Sequence, residues 1–378
     1  MKKILLSLLL AGGVQNSFAM HGSGGVGQAA ESSSIVETQV PVLFENVNAS
    51  NSDGETALIT ASSCGFTKLA QKLIAAGADV DARDRHGDTA LINASIRGHT
   101  EIAQQLIAAG ADVDAKDEEG YTSLIVASIG HTENARLLIA AGADVNASNV
   151  YGQTALIVAA IYGHTENARL LIAAGADVDA RDRYGKTALI KASSRGHTEI
   201  AQQLIAAGDD VDAKDEGGNT ALMWASIGYT ENARLLIAAG ADVDARDRDG
   251  ETALMKAARN GRTEIARLLI DAHVDVNASR NNGKTALMLA AEDGNTEIVN
   301  LLITAGADAN ASNSDGDTAL IWATRNGDWN IEIVKLLIAA GADINASNRY
   351  GWKALSIAIV SDDSENIAKL LRDAEALE

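Results

Sequence analysis

The chain has 378 residues, of which 47% are hydrophobic, and a formal net charge of −20 at pH 7. So acidic a chain repels phosphate backbones and anionic lipid, which disfavours nucleic-acid binding and flat attachment to a membrane surface. The one cysteine, Cys64, excludes an intramolecular disulfide, and we expect its small side chain to be packed between two helices.

The N-terminal residues predict an export signal. Lys2 and Lys3 precede an apolar run at residues 4–13, and Ser17-Phe18-Ala19 places small residues where a signal peptidase cuts. Because the run is too short to span a bilayer, we expect cleavage after Ala19, no membrane attachment afterwards, and a periplasmic or secreted protein. The alternative is a short membrane anchor that stays in place.

Two short segments follow the signal. Residues 20–39 are rich in Gly and Ser, which is typical of a flexible linker. Residues 40–50 end in Val47-Asn48-Ala49-Ser50, which matches the last residues of the repeat described next. We therefore expect residues 40–50 to form a degenerate N-terminal cap.

The rest of the chain, residues 51–378, repeats one phrase, seen at residues 149–181 as NVYGQTALIVAAIYGHTENARLLIAAGADVDAR. Gly152 permits the positive φ of a turn, and Thr154 is a good N-cap for a first helix over Ala155–Ile161. After Gly163 we expect Thr165 to cap a second helix, which Gly175 ends in the left-handed conformation.

Ten copies of this phrase follow one another. The third and sixth are one residue short between their helices, and the ninth has two extra residues around Asp328-Trp329-Asn330. Residues 84–147 and 182–245 are near copies 98 residues apart, which indicates duplication of three repeats together. The repeats start at Asn51, Asp84, Asp117, Asn149, Asp182, Asp215, Asp247, Arg280, Asn313 and Asn348.

The phrase D-x-x-G-x-T-A-L-I-x-A…G-H-T-E…L-L-I-A-A-G-A-D-V resembles the ankyrin repeat. Two positions depart from that family: its Pro is replaced by Ala or Ser, and its His is replaced by Ile or Met. The resemblance implies an all-α solenoid of about ten stacked helix-turn-helix repeats linked by β-turn or hairpin tips. Helix pairs of this length bury too little apolar surface alone, so neighbouring repeats must stack. We expect one cooperative array and a monomer.

Some residues depart from the repeat pattern inside the predicted core. Asn134, Asn167 and Asn232 occupy a position where sister repeats have Ile, and a buried amide without a partner costs about 1–3 kcal/mol. His273 replaces the glycine that ends the second helix, so its side chain must tolerate a positive φ.

Histidine and aspartate are the candidate metal ligands. His99, His131, His164 and His197 recur at the repeat period, which puts them about 8–10 Å apart, too far to share one zinc ion. The resemblance implies a structural role for them. The aspartates of residues 242–251 lack the EF-hand order, which favours turn formation and leaves calcium binding as an alternative.

No catalytic motif is present: the sequence has no G-x-S-x-G, no H-E-x-x-H and no P-loop. We therefore expect no enzyme activity, no cofactor and no dedicated metal site.

Aromatic residues give the functional prediction, because most Trp and Tyr fall at the turn tips or on the first helices. The resemblance implies that these elements line a concave face where partners bind, and Tyr and Trp are frequent interface anchors. We expect an exported bacterial scaffold that binds another protein, either a bacterial partner or, for an effector, a host protein; the alternative is a periplasmic protective protein that sequesters a small ligand or metal. The predicted partner-binding residues are Tyr121, Tyr151, Tyr162, Tyr184, Lys186, Lys191, Trp224, Trp322, Tyr350 and Trp352.

Overall fold

The computed structural model describes residues 46–361 and 363–376, and within these ranges it contains α-helices, one 3₁₀ turn and no strands. The predicted signal, the linker and residues 40–45 of the cap lie outside the described residues. Contacts between Cα atoms divide the chain between Arg183 and Tyr184 into two parts, called here the N-terminal unit and the C-terminal unit.

The N-terminal unit contains four helix pairs. Within this unit each first helix packs on its own second helix, successive first helices pack on one another, and so do successive second helices. The helices are α1 (Ala57–Cys64), α2 (Thr67–Ala75), α3 (Ala90–Arg97), α4 (Thr100–Ala108), α5 (Ser123–Ala127), α6 (Thr132–Ala140), α7 (Ala155–Tyr162) and α8 (Thr165–Ala173).

The C-terminal unit contains six helix pairs that stack in the same way. The 3₁₀ turn Gly327–Asn330 lies between α17 and α18, where the sequence has its two-residue insertion. The helices are α9 (Ala188–Ser193), α10 (Thr198–Ala206), α11 (Ala221–Ala225), α12 (Thr230–Ala238), α13 (Ala253–Arg259), α14 (Thr263–Asp271), α15 (Ala286–Glu292), α16 (Thr296–Thr304), α17 (Ala319–Thr324), α18 (Ile331–Ala339), α19 (Ala354–Val360) and α20 (Glu365–Glu375).

The first helix of the fourth repeat begins as the sequence predicts, whereas its second helix does not. Thr154 accepts a hydrogen bond from the backbone N–H of Ile157 and so caps α7. Thr165 is the first residue inside α8, and the N-cap is His164, whose side chain makes no capping hydrogen bond. The expectation that Thr165 caps the second helix is therefore wrong.

The core consists of the inward faces of both helices and of alanines at their contacts. Leu156 and Leu171 are fully buried in one repeat, and Ala159 and Ala168 beside them are fully buried as well. The small alanines allow the helices to approach closely, and the burial of the larger side chains against neighbouring repeats stabilises helices of only five to eleven residues.

In most repeats the tip begins with an Asp or Asn, whose side-chain oxygen accepts backbone N–H groups of the turn. In the sixth repeat Asp215 Oδ1 accepts the backbone N–H groups of Gly217 and Asn219, both at 2.9 Å. Gly218 has φ of +82°, and a Cβ there would lie 2.9 Å from the backbone nitrogen of Arg248 in the following tip. Glycine is thus required both for the turn and for the close stacking of tips.

A second set of Asp and Asn residues forms a hydrogen-bonded ladder between repeats. Asp242 Oδ1 accepts the N–H of Asp244 at 3.0 Å, and Asp244 Oδ1 accepts the N–H of Asp275 in the next repeat at 2.8 Å. Asn277 then accepts from Asp308, also at 2.8 Å, so an amide oxygen serves as well as a carboxylate oxygen. The same pattern joins the repeats of the N-terminal unit, where Asn48 accepts from Asp79 at 2.8 Å.

The three core asparagines differ in their partners. Asn134 accepts from Thr100 Oγ1 at 2.7 Å and donates to Ala94 O at 3.3 Å, and Asn232 bonds in the same way to Thr198 and Ala192.

Asn167 donates to Ala127 O at 3.3 Å, but its buried Oδ1 has no hydrogen-bond partner among the described residues. Asn134 and Asn232 both follow a full-length repeat, whereas Asn167 follows the shortened third repeat.

Three further expectations have an outcome. The histidine rings bridge neighbouring repeats, with His131 Nε2 3.0 Å from Ile96 O and the ring against Gly98, which is a structural role. His273 has φ of +62°, the one positive value outside glycine among the described residues. Cys64 is exposed at the end of α1, so the expectation that it is packed is wrong.

Within the described part of the chain, no helix is long and apolar enough to cross a membrane.

Candidate partner-binding surface

Two positions in each repeat form what we call the tip–helix surface: the residue just before the N-cap of the first helix, and the fourth residue of that helix. In the sixth repeat the fourth residue is Trp224 on α11. Its indole N–H donates to Asp215 Oδ2 at 2.9 Å, so the carboxylate that builds the tip also fixes the tryptophan ring. Lys256 has the same position in the next repeat, and its ammonium donates to Asp247 Oδ2 at 2.9 Å.

A lysine from the preceding repeat covers the ring of Trp224. The ammonium of Lys186 lies 4.0 Å from the ring centroid, within cation–π distance, and 3.9 Å from Asp215 Oδ2. With its edge bonded to Asp215 and its face against Lys186, the indole has a fixed orientation.

A hollow of about 480 Å³ opens beside this ring. Four of the predicted binding residues line it together, namely Tyr184, Lys186, Lys191 and Trp224. Tyr184 is 49% exposed, and the remaining lining comes from the tip of the sixth repeat. A hollow of this volume with aromatic and charged lining is large enough for one or two side chains of a partner.

Trp322 is the fourth residue of α17 and has cations at its ring as well. The ammonium of Lys284 lies 3.5 Å from the ring centroid, and the guanidinium carbon of Arg325 lies 4.3 Å from it. Lys284 also pairs with Glu292 at 2.7 Å, and Arg325 bonds both oxygens of Asp317 at 3.2 Å. The buried indole N–H of Trp322 has no acceptor among the described residues.

The last repeat places Tyr350 and Trp352 at its tip, where both side chains are exposed. Arg349 stacks on the Tyr350 ring, with its guanidinium carbon 4.7 Å from the centroid, and pairs with Asp315 at 2.9 Å. Trp352 lines a separate apolar hollow of about 300 Å³ together with Arg325, Ile357, Val360 and Ser361.

The predicted aromatic residues of the N-terminal unit are Tyr121, Tyr151 and Tyr162, and they differ in exposure and in their contacts. Tyr121 is half-buried, and the pKa of its phenol is raised, first by burial and then by the nearby charge of Glu119. Arg183 lies 4.7 Å from the ring centroid of Tyr151, which is half-buried. Tyr162 is exposed and stacks on His164 with ring centroids 6.5 Å apart.

The tip–helix surface of this unit also carries an unusual carboxyl group. Burial, and then the negative charges of Asp84 and Asp117, raise the pKa of Asp88 to about 6, against the opposing effect of His86. Asp88 occupies the position that Lys186 and Lys284 occupy in the C-terminal unit. Glu251 and Asp317 of the C-terminal unit occupy the same position, so its charge varies from repeat to repeat within that unit.

Some exposed or paired residues escaped the sequence prediction. Trp329 is 92% exposed on the 3₁₀ turn, which lies in the insertion and outside the tip–helix surface. Lys284 and Arg325 were not predicted although both contact the Trp322 ring. Among the described residues, no group of three or more His, Cys, Asp or Glu side chains is placed to hold a metal ion.

The geometry defines a helical repeat protein with aromatic residues held in fixed orientation at the tips and first helices. A family model for ankyrin repeats (3 copies) matches residues 27–117, 110–182, 179–247, 239–313 and 287–377, and the chain belongs to the ankyrin-repeat family. Repeats of this family in general mediate protein–protein binding, and its members are in general scaffolds without enzyme activity. Among curated proteins, none matches the sequence significantly.

Proposed function

We propose that this chain is a non-enzymatic scaffold that binds another protein through the tip–helix surface of its C-terminal unit, centred on Trp224. The observation that supports the proposal is the hollow beside Trp224, because the Trp224 ring that lines it is held in place before any partner arrives. An interface residue that is already fixed loses little conformational entropy on binding. Tyr and Trp also contribute more than other residues to typical interfaces.

The export signal expected at residues 1–19 supports a proposed site of action outside the cytoplasm, in the periplasm or beyond the cell. The partner is then a periplasmic protein or, for an effector, a host protein. No observation in the described residues favours the alternative of a protein that sequesters a small ligand or metal.

A peptide selection tests the binding surface. The full chain is used to select binders from a displayed random-peptide library, and the synthesised peptides are titrated by fluorescence anisotropy. We expect Trp224→Ala to weaken binding by at least about tenfold, as removal of a central aromatic residue does. Trp329→Ala is the matched control, since it removes an exposed tryptophan outside the tip–helix surface, and it should change the affinity by less than about twofold.

Equal losses in the two variants, or no loss in either, would contradict the proposal. Circular dichroism of both variants confirms that the helices are retained. Cell fractionation with N-terminal sequencing tests export separately: a mature protein that starts at Met20 outside the cytoplasm supports it, and an intact cytoplasmic chain refutes it.

A further inference from the structure

The pairing of a lysine with a tryptophan ring occurs twice in the C-terminal unit at equivalent positions. Lys186 lies over Trp224 and Lys284 over Trp322, at 4.0 and 3.5 Å from the ring centroids. The two lysines are 98 residues apart and so are the two tryptophans, which is a separation of three repeats. The same contact of a lysine ammonium with an indole ring therefore occurs at equivalent positions of the sixth and ninth repeats.

The side chains at the equivalent positions between the two rings are buried or paired with neighbouring residues of this chain. Lys256, at the intermediate position of the seventh repeat, is 14% exposed in its side chain and pairs with Asp247 and Glu251 at 2.9 and 3.1 Å. Leu289, at the position of the eighth repeat, is 2% exposed. Neither side chain projects far enough to keep a bound segment from running between the two tryptophans.

The spacing of the rings sets the length of such a segment. Helix pairs packed about 8–10 Å apart place rings three repeats apart at a separation of about 24–30 Å. An extended chain rises about 3.3 Å per residue, so about eight residues cover this distance. An even number of residues also directs both contacting side chains to the same face of the extended segment.

We propose that Trp224 and Trp322 together bind one continuous, extended peptide segment of a partner protein, with two contacting side chains about eight residues apart. The inference rests on the proposed function, because it names the form of the partner at that same surface. Each contacting side chain has an apolar body that covers exposed indole surface and an oxygen at its tip that accepts from the ammonium of Lys186 or Lys284. Tyrosine and glutamate fit this description.

The test uses peptides of about 16 residues, which are longer than the distance between the rings when extended. They are selected on the full chain and titrated against Trp224→Ala, Trp322→Ala, the double variant and the Trp329→Ala control. We expect each single variant at the two rings to weaken binding by about tenfold or more. A peptide cut between its two contacting side chains should lose its dependence on one of the two tryptophans.

Changing the spacing of the peptide gives a second measurement, and its main comparison uses only the parent chain. Two residues inserted between the contacting side chains should weaken binding to the parent chain by about tenfold, and the same insertion should have little effect on Trp322→Ala.

Three outcomes overturn the inference. Dependence on Trp224 alone, with no effect of the insertion, refutes the two-point contact and leaves the proposed function standing. Dependence on Trp322 alone, or failure to select any peptide that depends on Trp224, refutes both.

Discussion

Asn167 provides a test of how this fold tolerates a polar group in its core. The side chain is fully buried in α8, and its Oδ1 has no hydrogen-bond partner among the described residues. Sister repeats have Ile at this position, as at Ile102 and Ile200, and both are fully buried, so the site accepts a branched apolar side chain. We predict that Asn167→Ile stabilises the protein.

The magnitude follows from the partners that are lost and gained. An orphan buried acceptor costs about 1–3 kcal/mol, and the substitution removes it. The lost hydrogen bond from Nδ2 to Ala127 O is worth about 1 kcal/mol, and that carbonyl keeps the backbone N–H groups of Gly130 and His131 at 3.2 and 2.8 Å. The substitution also increases the buried apolar surface. Together these contributions should raise the free energy of unfolding by about 1–2 kcal/mol.

The matched control is Asn134→Ile, because Asn134 has the same surroundings in sequence but accepts a hydrogen bond from Thr100 at 2.7 Å. That substitution removes a satisfied pair, so we expect no gain or a small loss of stability. The assay is urea unfolding followed by circular dichroism, with amide exchange in α8 and α6 to localise the effect, since a repeat array need not unfold in one step. Equal effects of the two substitutions would refute the reasoning.

Three further predictions concern the tips, the ladder and pH. Gly218→Ala should lower the free energy of unfolding by about 2 kcal/mol or more, because its Cβ would meet the backbone of the next tip. Gly240→Ala, at φ of +85° with nothing within 4 Å of its Cβ, should cost only about 1 kcal/mol. Urea unfolding of the two variants checks this, and equal costs would contradict it. Asp244→Asn should be nearly neutral and Asp244→Ala should cost about 1 kcal/mol, because only the alanine removes the acceptor for the N–H of Asp275; a matching loss in the asparagine variant would assign the effect to charge. Asp88 has its folded-state pKa raised to about 6, above an unfolded value of about 3.9, so its ionised form opposes folding above pH 6 and this cost disappears below about pH 4. After allowance for solvent screening, Asp88→Asn should therefore stabilise by about 1 kcal/mol at pH 7 and by nothing at pH 4, and a gain that does not depend on pH would refute the assignment.

The fold was predictable because its determinants are local and repeated. The Thr154 cap, the glycines at the helix ends and the apolar faces lie within a few residues of one another, so their spacing alone predicts each helix pair. The error at Thr165 has a local cause as well: a threonine at the first helical position and a threonine cap look alike in sequence. Here the preceding His164 occupies the cap, and its ring lies against Gly130 of the previous repeat.

The candidate site was predictable only in part. Helical register placed Trp224 and Trp322 at equivalent positions, as the structure has them. The lysine that covers each ring belongs to the preceding repeat, and periodicity alone does not say which side chains meet across that distance. Trp329 was missed for the opposite reason, since an insertion interrupts the period on which the prediction depended.

The Asp and Asn ladder has a consequence for how the array can change in evolution. Each contact joins a side-chain oxygen of one repeat to a backbone N–H of the next, and either Asp or Asn supplies the oxygen. Within each unit, a repeat therefore offers its successor the same connection, whatever the remaining residues of that successor are. The ladder itself places no constraint on which repeats adjoin one another, which is compatible with the duplication of a three-repeat block that the sequence indicates.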